Sequence, residues 1–284
     1  MSKIAVVTDS TSWMPRDLLA KYNITMAPQL LIWGDQTLRD GIDIQPDEFY
    51  ARIKTAKVMP TTSQVSIPTM ESIFREHVEK GMEVIGIFVS SKLSGTIQSA
   101  MQAREMMGAA GEKVHVVDSQ ATAMAMGFQV LATARAIADG AKLADAIAVA
   151  EKARDHTGVY FAVDTLEFLH RGGRIGGAQR LLGTALNMKP VLALQDGRVE
   201  AIERIRTKSK AVDRVIEIVM EKTKGKSPIH LATLHANAPQ EAKEMLKRAS
   251  KELNPVEALF TEVSPVVGNH AGPGVVGLAY MAGM

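Results

Sequence analysis

The residues of this chain best suited to chemistry are hydroxyls and glycines that follow apolar runs. Ser90-Ser91-Lys92-Leu93-Ser94-Gly95-Thr96 comes after the β-branched run Val84–Val89 and before a segment with helical apolar periodicity at Ile97, Ala100 and Met101. A strand that feeds a polar loop and a new helix gathers free backbone N–H groups and a positive dipole end at one spot, which suits an anion. Ser94 can cap that helix or offer its hydroxyl to a ligand, and Gly95 lets a ligand oxygen approach the backbone closely. Thr61-Thr62-Ser63-Gln64-Val65-Ser66, bracketed by Pro60 and Pro68, reads as an irregular loop of uncharged donors without a catalytic base. Arg171-Gly172-Gly173-Arg174 sets two arginines among glycines that also read as a helix terminator. His270 lies in Val266–Gly277, where glycine, proline and asparagine predict a turn that displays the imidazole. Asp9 ends the first strand; a phosphatase-type nucleophile would need a second aspartate two residues on, where Thr11 stands, so a hydrogen-bonding or capping role is expected.

The elements that must position these residues follow in order. Strand Ile4–Val7, helix Pro15–Lys21, strand Met26–Trp33, helices Phe49–Lys57 and Thr69–Lys80, strand Val84–Val89 and strand Lys113–Val117 alternate. Helices Ala121–Asp139 and Leu143–Asp155 close this half, which reads as a mostly parallel α/β domain over residues 1–160. Ligands gather at the carboxyl ends of such strands. A second α/β domain, 161–284, is expected to carry a mixed sheet. It comprises strand Val159–Val163, helix Leu181–Asn187, a hairpin (Val191–Leu194 and Arg198–Arg206) through Asp196-Gly197, helix Ala211–Lys222, strand Ile229–Leu234, helix Pro239–Leu253 and strand Val256–Val263. The last strand, Val275–Ala279, fits either sheet. Alternation places Arg204, Arg206 and Lys208 on one strand face, either simply solvated or a docking patch for an acidic protein surface.

Composition removes several function classes. With 46% hydrophobic and 23% charged residues the chain has the make-up of a soluble globular protein. A net charge of +2 and 5% aromatics give neither a nucleic-acid footprint nor a stacking platform. The absence of cysteine excludes disulfides, thiolate nucleophiles and Cys-ligated metals. The opening strand without a basic, then long apolar, leader and the lack of a long apolar run predict a cytoplasmic protein without stable membrane insertion. Sixteen methionines supply adaptable apolar surface, with Met124, Met126, Leu181 and Met188 as candidates to line a pocket. No nucleophile elbow, Walker loop, HExxH or paired metal carboxylates occur.

Taken together, these motifs resemble those of the DegV family. Thr62–Ser66 resembles its TSQPS loop, Ser90–Ala100 its SSxLSGTxQSA segment, and Asp164–Gly176 its DTLExLxRGGRIG segment. Asn187-Met188-Lys189-Pro190 with Asp196-Gly197 is similar to its KP…DG region, Gly268–Gly274 to its GxHxGPG end, and Val7–Thr11 to its N-terminal motif. Val65 stands where proline is usual and Asn269 where threonine is. The resemblance implies two α/β domains holding one long-chain fatty acid in a cleft between them, with no metal and no cofactor beyond that ligand. It further implies the non-catalytic lipid-binding subunit of a bacterial fatty acid kinase, whose separate ATP-using subunit phosphorylates the bound carboxylate to an acyl phosphate for phospholipid synthesis. Carried onto this sequence, the ligand-binding residues are Thr62, Ser94, Gly95 and His270, with Thr61, Asn269, Arg171 and Arg174 beside them. A protonated His270 would assist by offsetting phosphoryl charge, and Arg204 and Arg206 are expected to dock the kinase. The competing reading is a phosphotransferase or hydrolase acting on a small polar substrate through Asp9, Ser94 and His270.

Overall fold

A computed structural model describes residues 3–183 and 188–284. The chain runs β1 (Ile4–Asp9), α1 (Arg16–Lys21), β2 (Thr25–Ala27), β3 (Leu30–Trp33), β4 (Gln36–Arg39), α2 (Pro46–Ile53) and β5 (Thr61–Ser63). It continues with α3 (Ile67–Glu79), β6 (Glu83–Phe88), α4 (Thr96–Met106), β7 (Val114–Asp118), α5 (Ala123–Ala138) and α6 (Leu143–His156). Then come β8 (Thr157–Ala162), α7 (Glu167–Arg171), β9 (Lys189–Gln195), β10 (Arg198–Ile205) and α8 (Lys208–Thr223). β11 (Ile229–His235), α9 (Pro239–Leu253), β12 (Glu257–Leu259), α10 (Pro265–Ala271) and β13 (Val276–Ala282) complete it. Among the described residues no helix is long and apolar enough to cross a membrane.

Three sheets result. β2-β1-β6-β7 is wholly parallel, as the alternation of strands and helices requires. β10-β9-β8-β13-β11-β12 is mixed: each neighbouring pair is antiparallel except β11 with β12. The C-terminal strand therefore joins the second sheet, between β8 and β11. The third sheet, β4-β3-β5, is small and antiparallel. α5 packs against β1 and β6 on one side and against β8, β11 and β13 on the other. Its small and apolar residues are buried along nearly the whole helix, as a helix enclosed between two sheets needs. The six-stranded sheet has two apolar faces. Tyr160 and Ala162 of β8 join the core formed with α8 and α9, while Val159 and Phe161 join the core that includes α5.

Four expectations are corrected here. Met26–Trp33 is two strands, because Pro28 cannot donate to a ladder and Gln29 turns aside to bond Ser10 Oγ (3.1 Å) and to accept from Asp40 N. Thr61–Ser63 is an edge strand on β3 and not an irregular loop; flanking prolines are tolerated at an edge and threonine suits a pleat. β10 ends at Ile205 and Lys208 is the first residue of α8, capped by Thr207, so of Arg204, Arg206 and Lys208 only Arg204 lies on the strand. In place of a helix from Leu181, a 3-10 helix covers Gly176–Leu181; Thr184–Asn187 lie outside the described residues.

Asp9 fixes the carboxyl ends of the central parallel strands. Its Oδ1 accepts from Thr11 N (2.9 Å), Thr11 Oγ1 (2.6 Å) and Gln29 Nε2 (3.3 Å), and its Oδ2 accepts from Val89 N (2.8 Å). Asp9→Ala leaves these donors buried and unpaired, and is expected to cost about 3 kcal/mol or more of stability in urea unfolding. Asp9→Asn is expected to fail likewise, because its NH2 would face donors. Wild-type stability in either variant would show that the carboxylate has no structural role.

Candidate functional site

A cavity opens where the three sheets meet, with about 890 Å³ of space when its open mouth is counted. Its apolar wall comes from one face of the six-stranded sheet, with Val159 and Phe161 of β8, Leu194 of β9, Val199 of β10 and Leu234 of β11. Val266, Val267 and Ala271 of α10 continue that wall. Hydroxyl, amide and cationic groups line the rest, among them Thr62, Gln64, Ser94, Arg174 and His270.

β5 and α10 bring two of these together across 208 residues: Thr62 Oγ1 and His270 Nε2 share a hydrogen bond of 2.7 Å. His270 is therefore helical and packed, contrary to the displayed turn expected from its glycines. Ser264 caps α10 by accepting from Val267 N (3.2 Å) and Pro265 opens it, so the helix begins upstream of Gly268 and carries through the histidine. Burial first, and the positive Arg174 second, pull the imidazole pKa down to about 4. His270 is thus neutral at pH 7 in the ligand-free protein, and the protonated state expected from sequence requires an added anion. Arg174 donates through Nε to Leu93 O (2.9 Å) and through Nη1 to Gly172 O (2.8 Å); no carboxylate pairs with it among the described residues. A fixed guanidinium without a counter-ion, beside two hydroxyl-bearing side chains and an imidazole, is a receptor for an anion.

Ser94 is not the helix cap expected: Gly95 is the N-cap of α4 and makes no side-chain cap bond, while Ser94 Oγ accepts from Thr96 N (3.3 Å) one position earlier and its side chain lines the cavity. Gly95 is roofed by the amide of Gln64, whose atoms lie 3.0–3.2 Å from where a Cβ would stand. No local signal in the sequence marks Gln64 for this place; it follows β5, whose pairing with β3 brings it over Gly95. Gly172 ends α7 in a right-handed conformation, so backbone freedom is not what it supplies. A Cβ there would overlap His270 Nδ1, whereas the left-handed residue is Gly173 at φ 70°.

Other candidates stand apart. Thr61 is exposed and outside the lining. Asn269 is buried and donates through Nδ2 to Pro60 O (3.2 Å), tying α10 to the start of β5. Arg171 is exposed, with its guanidinium 4.9 Å from the Phe168 ring centre. Arg204 and Arg206 are exposed and do not line the cavity. Met124 and Met126 are core, and neither Leu181 nor Met188 lines the cavity. Ser90 is structural, donating to Gly197 O (2.6 Å) in the hairpin turn. Asp9 is wholly buried with both oxygens engaged, so Asp9, Ser94 and His270 do not assemble as a catalytic trio. No cluster that could hold a metal ion occurs among the described residues.

Comparison with known proteins adds the following. The model of an uncharacterised-protein family, the DegV family, matches residues 3–283. A DegV domain-containing protein of Streptomyces coelicolor is 37% identical over 278 residues, 97% of each chain. Protein DegV of Bacillus subtilis is 34% identical over 278 residues, 98% of each chain. Among solved structures, a DegV family protein from Thermus thermophilus, described as binding fatty acid, superimposes with a TM-score of 0.93 at 36% identity, covering 99% of this chain and 100% of that one. DegV from Bacillus subtilis, described as a fatty acid binding protein, gives 0.90 at 32% identity with the same coverage.

Two outcomes are expected for His270. Its NMR titration should have a midpoint near 4 in the ligand-free protein, against about 6.5 for an unfolded histidine. Because the folded pKa is depressed, the unfolded chain binds the proton first, so this group withdraws stability as pH falls from about 6.5 to about 4. Gly172→Ala should displace the imidazole, moving that midpoint toward 6.5; an unchanged midpoint would show that the close contact is not needed.

Proposed function

The chain belongs to the DegV family, and from that premise we propose that it binds one long-chain fatty acid in the cavity and presents the carboxylate to a separate ATP-using kinase subunit. The division of the lining carries this reading. An apolar wall contributed by four strands and α10 suits a tail, and Thr62, Ser94, His270 and Arg174 suit a carboxylate. The fatty acid binding described for the Thermus thermophilus and Bacillus subtilis neighbours supports it. The ligand would lie between the two α/β halves, 1–160 and 161–284.

Magnitudes assign the roles. Burying about 15 methylenes at roughly 0.8 kcal/mol each contributes about 12 kcal/mol before ordering costs. Each hydrogen bond to the charged head contributes about 1.5–3 kcal/mol. The tail therefore supplies most affinity and the polar end fixes orientation. Arrival of a carboxylate gives His270 the counter-charge it lacks, so its pKa rises on binding and the imidazolium can form. That protonated ring, with Arg174, would offset charge developing during phosphoryl transfer. Arg204 and Arg206 on the exposed end of the hairpin are the proposed docking cations.

Mass spectrometry of an organic extract should find one fatty acid per chain, and calorimetry near pH 5.5 should show proton uptake on binding. Thr62→Val, Arg174→Met and His270→Ala should each loosen the head by about tenfold while the tail still binds. A lipid-free protein that also refuses added palmitate or oleate would overturn the binding proposal. With lipid bound, acyl phosphate should form only when kinase subunit and ATP are added, and Arg206→Glu should lower kcat/KM at unchanged lipid content. An unaltered kcat/KM would remove Arg206 from docking.

A further inference from the structure

Besides the groups assigned to a head group, the cavity wall holds polar groups of opposite kind that lack partners. The first is an acceptor. Gln29 lines the cavity and is 3% exposed. Its Nε2 donates to Asp9 Oδ1 (3.3 Å), which fixes the sense of the amide, because the flipped form would set its oxygen against a carboxylate. Oε1 then accepts no hydrogen bond among the described residues. The second is a set of donors. α5 is 16 residues long and its start is buried, with Ala123 2% exposed and Met124 1%. The first N–H groups of a helix find no partner within it. No side chain caps them here: the Thr122 hydroxyl donates instead to Thr11 O (3.4 Å), and Ala123 has no polar side chain to offer. Thr122 and Ala123 line the same cavity as Gln29. A buried helix end without a cap calls for a ligand or a water.

Hydrogen bonds keep acceptor and donors close. Gln29 Nε2 and Thr11 Oγ1 share Asp9 Oδ1, and Thr11 O receives the Thr122 hydroxyl. The combination discriminates among ligand groups. A carboxylate would satisfy the helix N–H groups but would set its charge against Gln29 Oε1, with the Asp9 carboxylate behind, so Arg174 receives it better. A methylene satisfies neither side. A hydroxyl satisfies both, donating to the amide oxygen and accepting from the helix. Strand register sets where on a ligand that hydroxyl would fall. Leu31 pairs with Thr62 and Leu30 with Ser63, so Gln29 stands two residues from the partner of Thr62. Two residues of extended chain span about 7 Å, which corresponds to the first few carbons beyond a carboxylate held at Thr62.

We propose that the cavity selects long-chain 2- or 3-hydroxy acids over their unsubstituted parents, the hydroxyl bridging Gln29 Oε1 and the first turn of α5; this rests on the fatty acid reading above. Palmitate and its 2-, 3- and 16-hydroxy derivatives form a suitable series for calorimetry on the delipidated chain. The better of the 2- and 3-hydroxy acids should bind about fivefold tighter than palmitate or more, and the 16-hydroxy acid should show no such gain. The O-methyl ether of the better acid accepts but cannot donate, and should lose the gain. Gln29→Met should bring that acid and palmitate to equal affinity with far-UV CD unchanged; the ether comparison needs no variant and stands even if this one does not fold. Equal affinity across the series would mean that water fills the place, and would overturn the proposal while leaving fatty acid binding intact. A gain that survives in the ether or in folded Gln29→Met would overturn it likewise. Refusal of every acid, palmitate included, would instead remove the fatty acid reading and this inference with it.

Discussion

The candidate site depends on the seating of α10, a seven-residue helix too short to hold itself in place. A buried carboxylate does that work. Asp40 accepts from Ser10 Oγ (2.6 Å) and from Val266 N (3.3 Å), so one side chain joins the turn after β1 to the first turn of α10. Burial raises its pKa to about 6, against the hydrogen bonds from Ser10, Ser264 and Val266 that pull it down, so the carboxylate is ionised at neutral pH. The remaining restraints act along the helix. Tyr50 packs against Gly268, Asn269 bonds Pro60 O, His270 meets Thr62 and Gly172, and Lys208 bonds both Gly274 O and Asp164 behind the helix end. Each contact comes from a different part of the chain, so the position of one imidazole integrates most of the fold.

This arrangement explains why the polar end favours an anion without holding an acid of its own. His270 is neutral because desolvation and Arg174 act in the same direction, and Arg174 is fixed by two carbonyls and not by a carboxylate. An incoming negative charge relieves both conditions at once. Because the donors are already fixed by bonds to the protein, little ordering is left to oppose binding, and selectivity for a head group follows from geometry more than from net charge.

Much of this was legible in the sequence, for identifiable reasons. β-branched runs at Ile4–Val7 and Val84–Val89 predicted the parallel strands because strands buried on both faces must be apolar throughout. The Asp196-Gly197 turn predicted its hairpin, and both residues do have positive φ. What was illegible depended on partners remote in sequence. Thr61–Ser63 becomes a strand only because β3 lies beside it, and Met26–Trp33 breaks only because Gln29 is drawn to Ser10 and Asp40. Gly268 within α10 and Gly272 just after it mask the helical period, and the cap at Ser264 was the available signal. At Gly172 a helix-ending glycine and a glycine demanded by a neighbouring ring look identical in one dimension.

The apolar half of the cavity carries the same lesson into energetics. β8 alternates Val159 and Phe161 toward the cavity with Tyr160 and Ala162 toward α8 and α9, so one strand builds cavity wall and core at once. Both faces are written in the same residue types, and no local pattern distinguishes a wall that faces a ligand from one that faces a helix. That is why Met124 and Met126, adaptable residues on a helix near the cavity, proved to be core while valines and leucines line the space. Shifting β8 by one residue would exchange the two faces and put Tyr160 into the cavity. The antiparallel pairing with β13 and β9 blocks that slip, so strand register sets the shape of the cavity.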